Sequence, residues 1–405
     1  MGSKRKNRRE ATETFGEESS GSLGKQASSD KAFPLITLKQ KKMMHSPWAL
    51  LILLIPILAE YYVSHRLWQL LPPILPLRII VVALMTLAFI LAFVSFSGAL
   101  DRIPLELGTF TYEVGNSWLI LLLYLVMLFG VLDLGLALGL IPRSFLRGSV
   151  VGSVSVLLFF LGLFTYAHLH FEQKQRVELT LDSEGKVGKP VKLVLISDLH
   201  LGYHNRRSDL RRWLELIKRE RPDAVLIAGD LIDWSIKPVL EEGSAEEFRE
   251  LGIPIYAILG NHDYHAGTGA DKDFCKQAGI QLLQDSVAYF GDLAIVGRDD
   301  RTNPHRKSLG QIMEGIDRSK YIIELDHQPY HLEEAEQCGV NFEFAGHTHH
   351  GQVWPLNWVT DAVYEDAFGP LTKGKTEYYV SSGLGIWGGK FRIGTQSEYL
   401  VVTIR

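Results

Sequence analysis

Cysteine is almost absent: Cys275 and Cys338 are the two in 405 residues, and they form no CxxC pair. A disulfide framework and a thiolate zinc knuckle are therefore excluded, and both side chains are expected as small core residues. Surplus charge is lacking too. With a net charge of -4 and a pI near 6.4, the chain offers no general attraction for a polyanion, so no nucleic-acid partner is expected. There is no internal repeat. Nor is there a usual secretory leader, because the apolar region starts late and no short apolar stretch ends in a small-residue cleavage site. Histidine is what the chain has in an uneven supply: of 14, ten stand at or after His200.

Residues 1–46 are poor in apolar side chains and begin with Lys4, Arg5, Lys6, Arg8 and Arg9, which predicts a disordered basic tail. From Trp48 the composition changes. Apolar segments near 48–66, 75–98, 117–141 and 148–168 each approach or exceed the roughly 20 residues needed to span a bilayer, so 47–170 is expected to be a transmembrane bundle of about four helices. Asp133 inside the third segment, with no evident basic partner, reads as a packing contact. Lys39, Lys41, Lys42, Arg102, Lys174 and Arg176 flank one side of such a bundle and Arg66, Arg78, Arg143 and Arg147 the other. That modest bias favours a multi-pass protein of the cell membrane with its carboxyl-terminal domain in the cytoplasm.

Residues 171–190 carry turn signals, Asp182-Ser183-Glu184-Gly185 and Gly188-Lys189-Pro190, and read as a polar linker. The soluble domain is expected over 191–405. Apolar runs at 191–197, 224–229, 254–259, 293–297, 320–326 and 341–345 alternate with helical patterns such as 208–220, which indicates a layered α/β domain; Tyr378-Tyr379-Val380 and Tyr399-Leu400-Val401-Val402 supply late strands for a second sheet.

Several of these runs end in metal-capable side chains. The first is followed by Asp198-Leu199-His200, the second by Gly229-Asp230, the third by Gly260-Asn261-His262-Asp263, and the later ones by Asp326-His327 and Gly346-His347-Thr348-His349. The first three motifs are each compatible alone with an ordinary loop or turn, whereas two imidazoles at i and i+2, His347 and His349, after an apolar run have little structural purpose. Together, each at a strand end, they are specific, because α/β sheets gather ligands beyond the carboxyl ends of their strands. The set suits two ions: Asp198, His200, Asp230 and His349 for one, Asp230, Asn261, His327 and His347 for the other, with Asp230 as the bridge. Imidazole, carboxylate and amide donors favour two divalent transition metals, Mn, Fe or Zn. Such a pair activates a bridging hydroxide and clamps the oxygens of a displacement at phosphorus.

In this order the motifs resemble the calcineurin-like metallophosphoesterases, a similarity that covers about residues 191–405 and points to the bacterial membrane-associated branch. The resemblance implies an α/β/β/α domain and a metal-dependent phosphoric ester or pyrophosphate hydrolase. It gives the seven residues above as metal ligands and His262 as the group that assists the leaving oxygen, with Asp263 as its orienting partner. Asp233 fits a carboxylate that fixes a ligand histidine. His350 departs from the glycine often found there and is expected at the rim.

His327 is preferred to His331, since the run 320–326 ends just before it. His204, His265 and His305 are expected in solvated loops. Arg206 and Arg207 are candidates for phosphate binding or a solvated helix start, and Arg298 with Asp299 and Asp300 for the cleft wall. A membrane anchor favours an amphiphilic substrate, with a lipid-linked pyrophosphate such as UDP-diacylglucosamine as the specific expectation. The alternatives are a tethered phosphodiesterase of soluble nucleotides and a non-catalytic membrane sensor or scaffold.

Overall fold

The computed structural model describes residues 47–405, so the expected basic tail lies outside the described residues. The chain divides into two units, Met1–Ile55 and Pro56–Arg405, and the contacts below are those of the second. Four helices come first: α1 (Pro47–Leu70), α2 (Leu75–Ser95), α3 (Leu105–Ala137) and α4 (Val150–Glu172). Of the described residues, α2, α3 and α4 form helices long and apolar enough to cross a membrane. Their outer faces expose large apolar side chains, among them Ile79, Leu84, Val131, Leu157 and Leu161. Water would penalise such a surface and lipid would not.

Two elements differ from expectation. Helix α3 begins at Leu105 rather than near residue 117, because Glu106, Thr109, Tyr112, Glu113 and Asn116 continue the helix in polar form and several of them contact the domain instead of lipid. Asp133 has a basic partner after all. Arg66 lies inside α1, not in a loop, and pairs with the Asp133 carboxylate, which also accepts from the Tyr62 hydroxyl at 2.7 Å.

The expected linker over 171–190 is also partly structured. Strand β1 (Lys174–Leu181) follows α4 almost directly and pairs in parallel with the last strand, β12 (Ser397–Ile404), so the turn signals describe only the loop after it. The first sheet has the order β1-β12-β2-β3-β4-β5, with β2 (Val191–Ile196), β3 (Ala224–Ala228), β4 (Ile255–Ile258) and β5 (Gln281–Leu282) parallel to one another and β12 antiparallel to β2. The second has the order β10-β11-β9-β8-β7-β6. It comprises β6 (Ser286–Phe290), β7 (Leu293–Gly297), β8 (Tyr321–Leu325), β9 (Phe342–Ala345), β10 (Gly369–Lys373) and β11 (Thr376–Val380).

The runs β2, β3, β7, β8 and β9 are buried on both faces, which explains why they read as continuous apolar stretches rather than alternating ones. One face of each sheet meets the other sheet through Leu193, Leu195, Leu226, Ile295, Ile323, Phe342 and Phe344. The opposite face of the first sheet is covered by α5 (Arg207–Glu220) and neighbouring helices through Leu210, Trp213, Ile217, Phe248 and Phe274; that of the second is covered through Leu309, Ile312 and Ala335. The result is helix, sheet, sheet, helix. Cys275 is buried in the first of these layers, while Cys338 is only half-buried; both are free.

Phe342 is fully buried between the sheets. Phe342→Ala is expected to cost about 3–5 kcal/mol, read as a lowered thermal unfolding midpoint of the detergent-solubilised protein.

Candidate metal centre

Beyond the carboxyl ends of the strands the backbone does something unusual. Asp198, His200, Asp230, His347 and His349 all have φ between 45° and 72°. Left-handed backbone at residues other than glycine costs of order 1–3 kcal/mol each and survives only where the surroundings enforce it. Here it turns each strand end so that its side chain faces the seam between the two sheets. Gly260 and Gly346 allow the loops to approach, since a Cβ on the first would meet Asp230 and on the second Asp198 and Ser197. The glycines of Gly-Asn-His-Asp and Gly-His-x-His are thus close-approach residues, not merely turn formers.

Two groups form across the seam. In the first, the Nε2 atoms of His200 and His349 are 3.0 Å apart, and Asp198 Oδ1 stands 3.8 Å from the former and 3.5 Å from the latter. In the second, His327 Nε2 lies 3.2 Å from Asp230 Oδ2 and 3.1 Å from Asn261 Oδ1, with the His347 ring 5.2 Å from the His327 ring. Asp230 joins them: the same Oδ2 is 3.6 Å from His200 Nε2. His200 and Asp230 come from the first sheet, His327, His347 and His349 from the second.

These separations fit metal binding. Atoms sharing one transition-metal ion at about 2.1 Å stand roughly 3.0–3.4 Å from one another. The donors are also in suitable form. Burial, and then the neighbouring His327, hold the His347 imidazole down to about 4; burial, and then His200, hold that of His349 well below its ordinary range. Both therefore present lone pairs at neutral pH. His327 turns its Nδ1 to the carbonyl of Ala228 at 2.8 Å, which as donor leaves Nε2 aimed at Asp230. Burial disfavours its charged form, but Asp230 overrides this and raises it well above 6.5. A cation between the two would displace that proton.

Asp233 is shared by two imidazoles. Its Oδ1 is 2.8 Å from His262 Nδ1 and 3.4 Å from His200 Nδ1, and its Oδ2 accepts from the Tyr112 hydroxyl at 2.6 Å. Burial pushes its carboxyl up, but the neighbouring imidazoles of His200 and His262 outweigh this and hold it well below the usual carboxylate range. For His262 burial pulls down, Asp230 and Asp233 push up, and the net position is about 9. Trp234 and Trp387 stand against the His262 ring, with centroids 5.5 and 6.2 Å away.

Several expectations need correction. Asp263 does not orient His262: it accepts the amides of Gly260 and Ile232 at 2.8 Å and of Leu231 at 3.3 Å, closing the first turn of α8 (Asn261–Ala266) and pinning the Asp230 loop. Asp233 has the role expected of Asp263. His204 is not solvated; it is buried, bonds the Ile386 carbonyl through Nε2 and stacks on Tyr112 at 4.8 Å. Of the two readings for Arg206 and Arg207 the helix start holds, since they open α5 and pair with Glu242, Glu246 and Glu247. Arg298 is buried against Glu324, Asp326 and Glu334, away from any cleft wall.

The other placements are simpler. Asp299 accepts from the Tyr264 hydroxyl and Asp300 from Gln328. His331 is exposed beside Glu333, while His327 stands in the site. His265 is exposed and stacked on Trp234, His305 is exposed, and His350 stacks on Phe368. Tyr112, Trp234 and Trp387 reach the site without any signal in the motifs. Tyr112 interrupts an apolar helix with a hydroxyl, the one hint available.

Residues 191–351 match the family model of the calcineurin-like phosphoesterases. Over these residues the chain is similar to that family of metallophosphoesterases. An uncharacterised metallophosphoesterase of Aquifex aeolicus is 28% identical over 258 residues, covering 60% of this chain and 96% of its own length. One from Campylobacter jejuni is 30% identical over 224 residues, 54% of this chain and 60% of the relative. A transmembrane protein with a metallophosphoesterase domain from Danio rerio is 27% identical over 248 residues, 56% of each chain. The chain thus spans little more than half the length of the latter two. Both bacterial and membrane-associated eukaryotic calcineurin-like proteins are among its relatives.

Removing the charge of Asp233 is expected to free both imidazoles. Asp233→Asn should lower the turnover of a phosphodiester roughly 10–100-fold, with metal content followed by elemental analysis alongside the rate.

Proposed function

We propose that this chain is a membrane-anchored phosphohydrolase that uses two divalent transition metal ions, Mn, Fe or Zn, to cleave a phosphodiester or pyrophosphate bond of a lipid-linked substrate. The observation that carries the reading is the Asp230 carboxylate between two buried histidine groups, 3.6 Å from one and 3.2 Å from the other. Asp198, His200 and His349 with Asp230 would hold one ion, and Asp230, Asn261, His327 and His347 the other. Bound there, the ions would supply Lewis acidity at phosphorus and a water made acidic enough to attack near neutral pH.

The chain's own residues do the rest. His262, held by Asp233 through Nδ1, presents its other nitrogen to the leaving oxygen and protonates it as general acid. Asp263 acts only through the backbone, keeping Asp230 and Asn261 in place. A scaffold reading has less support, because scaffolds shed ligands and all seven candidates are present and gathered here. In the finer topology, α1 to α4 all span the membrane, which returns the domain to the cytoplasmic side with Arg102, Lys174 and Arg176; the α2–α3 connection meets the domain, with Asp101 accepting from Tyr203 and Ser235.

Two variants test this on purified full-length protein with added Mn, assayed on aryl phosphodiesters, nucleotides and lipid-linked pyrophosphates. Asp230→Ala should abolish hydrolysis and bound metal together, and retained activity would overturn the two-ion reading. His262→Asn should keep its metal while turnover falls about 100-fold to 10,000-fold. Preference for a soluble nucleotide over every lipid-linked compound would remove the lipid assignment.

A further inference from the structure

A cavity of about 300 Å³ opens beside His347 and His349 and runs along α3. One wall is α3, through Leu119, Ile120 and Leu123; the facing wall is Val353 and Leu356, and Trp387 closes one side. Its character changes along its length. At the inner end are the two imidazoles and Asn116, whose Oδ1 is buried without a hydrogen-bond partner although Nδ2 is bonded to Ser95 and the Tyr112 carbonyl. The rest of the lining is mostly apolar, with Thr348 and Gln352 as its polar members.

The cavity's outer end reaches the level of the apolar helices. Helix α3 has 33 residues, a length of about 50 Å at 1.5 Å per residue, while a bilayer's hydrocarbon core is about 30 Å thick. Its polar beginning, up to Asn116, therefore stands clear of the lipid and carries Tyr112 into the site, and Leu119 to Leu123 fall where the apolar stretch begins. On the other wall, α12 (Leu356–Val363) has no buried residue; Leu356, Val359 and Val363, spaced i, i+3 and i+7, are exposed together with Trp354 and Trp358. A short helix with an aliphatic face and flanking tryptophans matches the bilayer interface in composition.

We propose that this cavity holds the hydrocarbon chain of the substrate, entering from the bilayer between α3 and α12 while its phosphoester lies at His347 and His349. The inference rests on the phosphohydrolase reading above and adds to it a chain subsite on the third helix. Asn116 Oδ1 then faces the polar junction between phosphate and chain, where a donor from the substrate or an ordered water would satisfy it.

The test uses full-length protein in detergent and a series of p-nitrophenyl alkyl phosphodiesters with methyl, butyl, hexyl and octyl chains. In each, water's oxygen bonds to phosphorus, the bond to the nitrophenyl oxygen breaks, and nitrophenol and an alkyl phosphate leave. The ratio kcat/KM is expected to rise about threefold to fourfold per added methylene until the cavity is full. In Ile120→Trp, and separately in Leu356→Trp, the rise should stop at a shorter chain. A flat series in the wild type overturns the subsite. So does a rise that persists unchanged in both variants, which would mean that longer chains merely concentrate in micelles. Absence of hydrolysis across the whole series, the methyl compound included, would instead count against the phosphohydrolase reading itself.

Discussion

Asp230 is the side chain on which the rest of the site depends. One carboxylate oxygen faces His200 from its own sheet and His327 from the other, and its partner oxygen accepts the amide of His262 at 2.8 Å. A single group thereby fixes the spacing of two sheets at their carboxyl ends. The geometry is maintained against the backbone's preference, since Asp230 and four of the candidate ligands around it adopt left-handed conformations. Such strain is sustained by the two-layer core beneath it, where β2, β3, β8 and β9 are buried on both faces and cannot shift without opening the interior. Asp263 completes the arrangement from below, spending both its oxygens on backbone amides of the loops that carry Asp230 and Asn261.

The apolar helices are joined to this centre more closely than a tether would require. Tyr112 from α3 donates to Asp233, and the Gly388 amide donates to the Tyr112 hydroxyl at 3.2 Å. The chain near the end of the domain packs on α4, with the Phe391 ring against that of Phe164 and the Arg392 amide bonded to the Ala167 carbonyl. Arg392 is itself fully buried and donates to the carbonyls of His349 and Ser382. The helices therefore wall the site on one side, exclude water from Asp233 and contribute to the orientation of both His200 and His262. This coupling makes the apolar helices part of the site's architecture.

Much of the domain could be read from sequence because its signals are local. A continuous aliphatic run such as Val191–Ile196 or Leu293–Gly297 can be buried only as an inner strand, and a metal-capable side chain following it falls at the strand's carboxyl end. Seven candidate ligands could thus be named before their convergence was visible. What escaped were pairings between distant segments. Arg66 and Asp133, or Tyr112 and Asp233, carry no mark of each other in sequence. Arg298 resembled a cleft residue because it follows a strand, yet it turns inward to three carboxylates. The linker reading failed at β1 for a related reason: Lys174–Leu181 alternates exposed and half-buried residues as an edge strand does, and the strand it pairs with, β12, is distant in sequence.

The roles of Asp233 and Asp263 mark the boundary most sharply. Each follows a motif residue by a short step, each is a carboxylate, and local spacing allowed either to face the His262 ring. Sequence by itself determined the strands, the apolar helices and the ordered set of metal-capable side chains, since these follow from hydrophobic periodicity and residue chemistry. Tertiary structure decided which carboxylate meets which imidazole, and that α3 enters the site, because those contacts depend on directions in space that a one-dimensional spacing does not encode.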